Sequence, residues 1–288
     1  MNFAPIFFVA LWSTGFVGAK YGLPYADPFI FLAIRVGIAA VLLYTYAVFT
    51  KAPVALNQKD RRLSGVVGMT LHFAYLGGVF YGISKGVPAG IAATVTSLQP
   101  ILVSVIGVRV LKEPLSIRQI AGLICGFTGV VIVLSPAFAS TSTMTGIGIV
   151  AIFVALFGST TATLVQKKSG GSTPLITGTA FQYLVAGAFF LLAAVTTQGF
   201  HISWTGKFIF ALSWLVLALS VGAILLLLTL LKHGSASKVS SLLYLVPPAT
   251  AVEAYFLFDE TLSALDFLGI SLTAIGVYLV IKKRTLIE

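Results

Sequence analysis

The 288-residue chain is 58% hydrophobic, carries charge on 9% of its residues and has a mean hydropathy of +1.04. An ordinary soluble domain devotes about 25% of its residues to charge, so this composition excludes a soluble fold and makes the bilayer the solvent. The net charge of +10 does not indicate nucleic acid, because the basic residues lie in breaks between apolar runs and form no polar patch. The one cysteine, Cys125, sits inside an apolar run, which excludes an intramolecular disulfide and suggests no metal cluster.

Apolar runs predict ten membrane helices, at about residues 4–21, 28–49, 63–84, 88–110, 115–134, 145–166, 174–198, 206–230, 235–257 and 262–281; each has close to the ~20 residues needed to cross ~30 Å of hydrocarbon. The first lacks the basic start of a secretory signal, and Trp12, Ser13, Thr14 and Gly15 interrupt its apolar centre, so it is read as a retained span. Trp12, Ser13 and Phe16 are its substrate-facing candidates. Helix 2 carries Arg35. Helix 3 places Gly65, Gly68, His72 and Tyr75 on one face. His72 is the only histidine inside a span, which makes it a functional candidate for donating to a carboxylate or carrying a proton, against the alternative of a satisfied packing histidine.

Helix 4 aligns Gly90, Thr94, Ser97 and Ser104 on one face, with Pro100 at mid-span and, opposite, Gln99, whose amide must find a partner within hydrocarbon and which is therefore a further site candidate. Proline frees a backbone carbonyl that lipid cannot satisfy, so this helix is expected to bend and line a wet cavity; a static kink is the alternative. Helix 6 offers Phe157 and Thr161, with Phe157 expected to face Trp12 across the cavity. Helix 9 repeats the helix 4 pattern with Ser237, Ser241, Tyr244 and Tyr255, and Pro247 and Pro248 at its middle. The bland reading of both small faces is helix packing. Glu253 is the only carboxylate well inside a span; it is read as a proton-coupling residue, a partner for Arg35 or an acid reaching the interface. Glu113 and Glu260 are expected to complement the helix starts near Ser116 and Ser263. Gly122, Gly126 and Gly129, with Gly269 and Gly276, read as a packing seam, with a subunit contact as one option.

Fourteen of the eighteen Lys and Arg residues fall in breaks on one side, and only Lys20, Lys85 and Lys207 on the other. That bias predicts cytoplasmic N- and C-termini.

An offset of 147 residues aligns Ser84–Pro136 with Leu231–Lys283 without a gap, pairing Pro100 with Pro247, Glu113 with Glu260, Gly122 with Gly269 and Gly129 with Gly276. Upstream, FVALW at 8–12 pairs with FVALF at 153–157. The chain is therefore read as two five-helix units, residues 1–140 and 141–288. Five is odd, so the second unit enters the membrane from the opposite side. Such inverted repeats give two near-equivalent states with a site near the midplane, the architecture of alternating access.

These residues resemble the drug/metabolite transporter superfamily in its EamA-like branch. The resemblance rests on LWSTGFVGAKYG in helix 1, PFIFLAIRVGIAA in helix 2, and the twice-written run of Pro, Glu, Leu-Ser, Gly and Gly-Val. It implies an all-α fold of ten helices around a central cavity built mainly from helices 1, 3, 4, 6, 8 and 9. Arg35 matches the family's helix 2 arginine, whereas Phe181 stands at the corresponding place in the second copy. The implied function is secondary export of apolar or aromatic amino acids and related metabolites across the inner (cytoplasmic) membrane, without a cofactor, by a monomer or weak homodimer. An uncoupled facilitator, or a multidrug or other-metabolite transporter of the same fold, is the alternative. The acids lie almost all in loops and no HExxH or phosphate-cradling motif occurs, which disfavours an intramembrane enzyme.

Overall fold

A computed structural model describes residues 4–110, 116–135, 144–169, 173–197, 199–223, 226, 245–260 and 262–281. Its helices are α1 Ala4–Gly22, α2 Pro28–Phe49, α3 Gln58–Ser84, α4 Ala89–Val110, α5 Ile117–Leu134, α6 Gly146–Ser169, α7 Leu175–Thr197, α8 Gly206–Ala223, α9 Val246–Phe258 and α10 Ala264–Ile281. Seven of them, α2 to α8, are long and apolar enough to cross a membrane. The expected ends that fall on described residues agree to within three residues except at α3, which starts five residues early; the expected end of helix 8 at 230 and start of helix 9 at 235 lie outside the described residues. There the Asn57 side chain accepts from the Asp60 N–H at 2.8 Å and caps a polar first turn that hydrophobic periodicity cannot register.

Two features of the helices were not expected. First, α3 and α8 each contain a π-helical stretch, Gly68–Leu76 and Trp214–Ala223, at places that correspond under the repeat. Such wide turns are rare and concentrate at functional sites. Second, the prolines mark fresh helix starts where mid-helix kinks were expected. In α4 a turn at Ser97 and Leu98 separates Ala89–Thr96 from Gln99–Val110, so Pro100 falls in the first turn of the second piece. Pro247 and Pro248 stand in the first turn of α9 as described. In a first turn the missing N–H has no intrahelical partner to lose.

Helix contacts come in pairs related by the repeat. Helix α1 packs on α9 as α6 packs on α4; α3 packs on α6 and α7 as α8 packs on α1 and α2; α2 meets α7, α4 meets α9 and α5 meets α10. The loops follow the same rule. At one end Asp27 takes the His201 N–H at 2.9 Å, while at the other Thr173 donates to Asp60 at 3.0 Å and Thr177 donates to the Pro53 carbonyl.

The α5–α10 contact is the most intimate. A Cβ on Gly122 would lie 2.6 Å from the Gly276 carbonyl oxygen, one on Gly129 would lie 2.5 Å from that of Gly269, and Cys125 Sγ donates to the Leu272 carbonyl at 3.3 Å. Each glycine thus meets the mate of the other, and Cys125 meets its own. The seam lies within one chain, a correction to the subunit option.

Both the interior and the outer surface are apolar. Phe31, Leu32, Val36, Leu43 and Phe190 are fully buried between helices, whereas Phe49, Ile124, Phe127, Leu192 and Phe256 face outward. An apolar outer belt is what lipid-facing helices require.

Candidate functional site

The cavity is set by close approaches around α3. A Cβ on Gly68 would lie 2.6 Å from the Gln182 carbonyl of α7, and one on Gly158 of α6 would lie 2.6 Å from that of Thr70. Clamped between α6 and α7, the π-helical stretch of α3 turns Leu71, His72, Tyr75 and Leu76 to an inner space of about 320 Å³, within the usual range for a small-molecule site. Trp12, Gly15 and Phe16 of α1, Arg35 of α2, Gln182 and Tyr183 of α7 and Leu219 of α8 complete its deep part.

Its polar groups interlock. His72 Nε2 donates to Gln182 Oε1 at 3.1 Å, and the imidazole lies 4.5 Å from the Tyr183 ring. The Tyr183 hydroxyl donates to the Ser220 carbonyl at 3.3 Å, and Arg35 Nε donates to Ser220 Oγ at 3.1 Å. The guanidinium also sits over Phe80 at 5.7 Å. Among the described residues no carboxylate lies within salt-bridge range of Arg35, and no acid lines the cavity.

The cavity is asymmetric along its length. Leu63, Ser64, Gln166, Ser169 and Thr173 line one end, beside the start of α3, which carries Lys59, Arg61 and Arg62, and the end of α6, which carries Lys167 and Lys168. Toward the other end Phe80 stacks edge-on against Phe31 at 5.4 Å, and Phe31 meets Phe208 at 5.0 Å. A Cβ on Gly22 would fall 2.6 Å from Phe31 Cζ, so only glycine lets this ring close against α1. Beyond the plug, Lys20 Nζ meets Glu260 Oε1 at 2.5 Å, and the same oxygen accepts from Ala89 N at 3.3 Å. Glu260 therefore complements the start of α4. The expected role at α10 is filled by Ser263, which takes the Asp266 N–H, just as Ser116 takes that of Gln119 at α5. Glu113 lies outside the described residues.

Of the sequence candidates, the fold brings Trp12, Phe16, Arg35, His72 and Tyr75 together around the cavity. Ser13 is elsewhere: fully buried, it donates to Glu253 Oε1 at 2.6 Å. Glu253 is thus partnered by Ser13 rather than Arg35, and its other oxygen is buried without a partner among the described residues. Thr94 and Ser97 do not line the cavity; their hydroxyls donate to the carbonyls of Gly90 and Thr94. A Cβ on Gly90 would touch Ala251 at 3.4 Å, so the small face of α4 packs on α9. Gln99 donates to Thr163 Oγ1 at 2.5 Å, tying α4 to α6. Phe157 is 55% exposed and Thr161 also faces outward, which places both on the lipid side of α6 and away from Trp12. Tyr255 is 51% exposed and likewise leaves the expected face. The described cavity wall thus draws on α2 and α7 in place of α4 and α9. Ser241 and Tyr244 lie outside the described residues.

The model of the EamA-like transporter family matches residues 3–135 and 146–282. The chain belongs to this family. Similar curated proteins include the uncharacterized transporter YvbV of Bacillus subtilis (strain 168), 27% identical over 96% of this chain and 90% of its own. A probable amino-acid metabolite efflux pump of Escherichia coli (strain K12) is 25% identical over 94% and 91%. A protein of known crystal structure superimposes with a TM-score of 0.68, covering 96% of this chain and 95% of its own at 17% identity, a likeness of fold. With its apolar membrane-length helices, this EamA-like chain is a multi-pass membrane transporter.

Sequence reasoning missed Gln182 and Tyr183 in this EamA-like cavity, and Ser220 behind its wall as the partner of Arg35 and Tyr183. An amide inside an apolar span had singled out Gln99, and the same signal was present at Gln182. Nothing in the sequence marked Ser220, whose role depends on the π-helical register of α8.

Proposed function

We propose that the chain is a secondary transporter that exports apolar and aromatic amino acids and related small metabolites across the cytoplasmic membrane by alternating access. The observation that carries this reading is the cavity, which reaches the basic end of the molecule and is shut at the other by the Phe31, Phe80 and Phe208 cluster and the Lys20–Glu260 pair. The basic end is the cytoplasmic one by charge bias, so this is the inward-open state. The paired helix contacts support two inverted five-helix halves, residues 1–140 and 141–288, in a ten-span fold. A family model matching both stretches supports the same reading. Outward direction is supported by the efflux activity in the name of the Escherichia coli relative. The acid-free cavity favours an uncoupled facilitator as the second reading, with Glu253 as the one acid placed to couple protons.

Proteoliposomes loaded with radiolabelled phenylalanine or leucine test the proposal. Trp12→Ala removes an aromatic wall and is expected to lower flux about tenfold, the equivalent of ~1.4 kcal/mol. Phe157→Ala on the outer face is expected to leave flux within about twofold. Absence of flux of any apolar amino acid or related metabolite with the unmodified protein would contradict the reading.

A further inference from the structure

Among the described residues the fixed charge in the cavity has no counter-ion. A buried cation is stable only when it is paired or fully hydrogen-bonded, and Arg35, 5% exposed, has a protein partner at Nε alone, Ser220. Its two terminal nitrogens have no acceptor among the described residues.

The whole chain has only eight acids, six of them among the described residues. Asp27 is held by His201, Asp60 by Asn57 and Thr173, Glu253 by Ser13, Glu260 by Lys20 and Asp266 by Ser263. Asp259 is exposed in the break before α10, and Glu113 and Glu288 fall in sequence outside every span. Among the described residues none is available to Arg35. An anionic cargo entering the cavity would supply that partner.

A guanidinium with Nε already engaged presents its two terminal nitrogens as a fork that matches the two oxygens of a carboxylate. The Tyr75 hydroxyl, which lines the same space and has no partner among the described residues, adds a third donor. Beyond this polar corner the wall is Trp12, Phe16, Leu71 and Leu219, suited to an aryl or branched alkyl group. An α-ammonium brought into the cavity would shed water, find no carboxylate and lie near a like charge.

We propose that the cavity selects apolar monocarboxylates without a free ammonium group, seated on Arg35 and Tyr75, over the corresponding zwitterionic amino acids. This rests on the transporter reading above and names its preferred cargo.

The experiment is isothermal titration of the purified full-length protein with three ligands sharing one skeleton: 3-phenylpropanoate, phenylalanine and phenethylamine. The expected order places 3-phenylpropanoate at least tenfold tighter than phenylalanine, with no binding of phenethylamine. Arg35→Gln is expected to weaken 3-phenylpropanoate by about 10- to 100-fold. Tyr75→Phe, which keeps the ring in place, is expected to weaken it less, by about threefold to tenfold. Phenylalanine binding more tightly than 3-phenylpropanoate would overturn the inference and leave the transporter reading standing. Tight binding of phenethylamine would overturn carboxylate recognition itself. Binding of none of the three, together with no flux of any apolar amino acid or related metabolite in proteoliposomes, would overturn both.

Discussion

Gly276→Leu is expected to disrupt the α5–α10 pair and to lower the thermal midpoint in detergent by about 5–10 °C, as overpacking of ~2–3 kcal/mol implies for a chain of this size. A Cβ at this position would lie 2.5 Å from the Gly122 carbonyl oxygen and 2.6 Å from Gly126 Cα. Both obstacles are backbone, so no rotamer change relieves them and the two helices must part. Parting them also breaks the Cys125–Leu272 hydrogen bond and the facing contact of Gly129 with Gly269. Phe127→Leu serves as the control: it lies on α5 but is 60% exposed, so its midpoint is expected to stay within about 1–2 °C. Fluorescence-detected size exclusion after a temperature series reads both; equal midpoints would remove the seam from the account.

Glu260→Ala is expected to open the end of the molecule that is shut here. One carboxylate oxygen holds both Lys20 and the first N–H of α4, and Lys20 Nζ also lies over the Phe258 ring at 4.7 Å. The contact therefore joins α1, α4 and the α9–α10 turn. A charge-assisted hydrogen bond of this kind contributes ~1.5–3 kcal/mol, so its loss is expected to shift the balance between the two states by about 10- to 100-fold. Lys20→Met should act alike, and the double variant should add little, since both remove one interaction. Spin labels at Ser84 and Ala264, both exposed at this end, read the change as a longer inter-label distance. Under the repeat Glu113 is the mate of Glu260, so Glu113→Ala should shift the balance the opposite way. A distance distribution unchanged by Glu260→Ala would mean that this pair closes nothing.

Much of this architecture was legible because a bilayer imposes a simple code. Helix α2 begins at Pro28 and ends at Phe49, where the apolar run begins and ends. The 147-residue echo is visible in the sequence because prolines, glycines and loop acids recur at fixed spacing, and their positions constrain backbone and need no knowledge of packing. What could not be read was which face of a helix looks inward. In a soluble helix polarity answers this, but in α4 and α6 both lipid and protein interior are apolar, and small hydroxyls such as those of Thr94 and Ser97 satisfy themselves on their own backbone. Phe157 was assigned inward by analogy with Trp12, yet α6 turns it to lipid and sets Gly158 against α3. His72 and Arg35 were identifiable because a charge or imidazole within a span is rare and expensive enough to have a purpose. Their partners were not, because the two π-helical stretches alter the angular register by which Ser220 reaches Arg35.

In the proposed arrangement the two half-chains cross the membrane in opposite senses around one cavity. In a Cys125→Ser background, single cysteines at Ile117 and Ala264 mark equivalent positions, 147 residues apart, at the exposed starts of α5 and α10. A membrane-impermeant maleimide applied to intact cells is expected to label position 264 and to reach position 117 only after permeabilisation. Labelling of both positions from the same side would contradict the account.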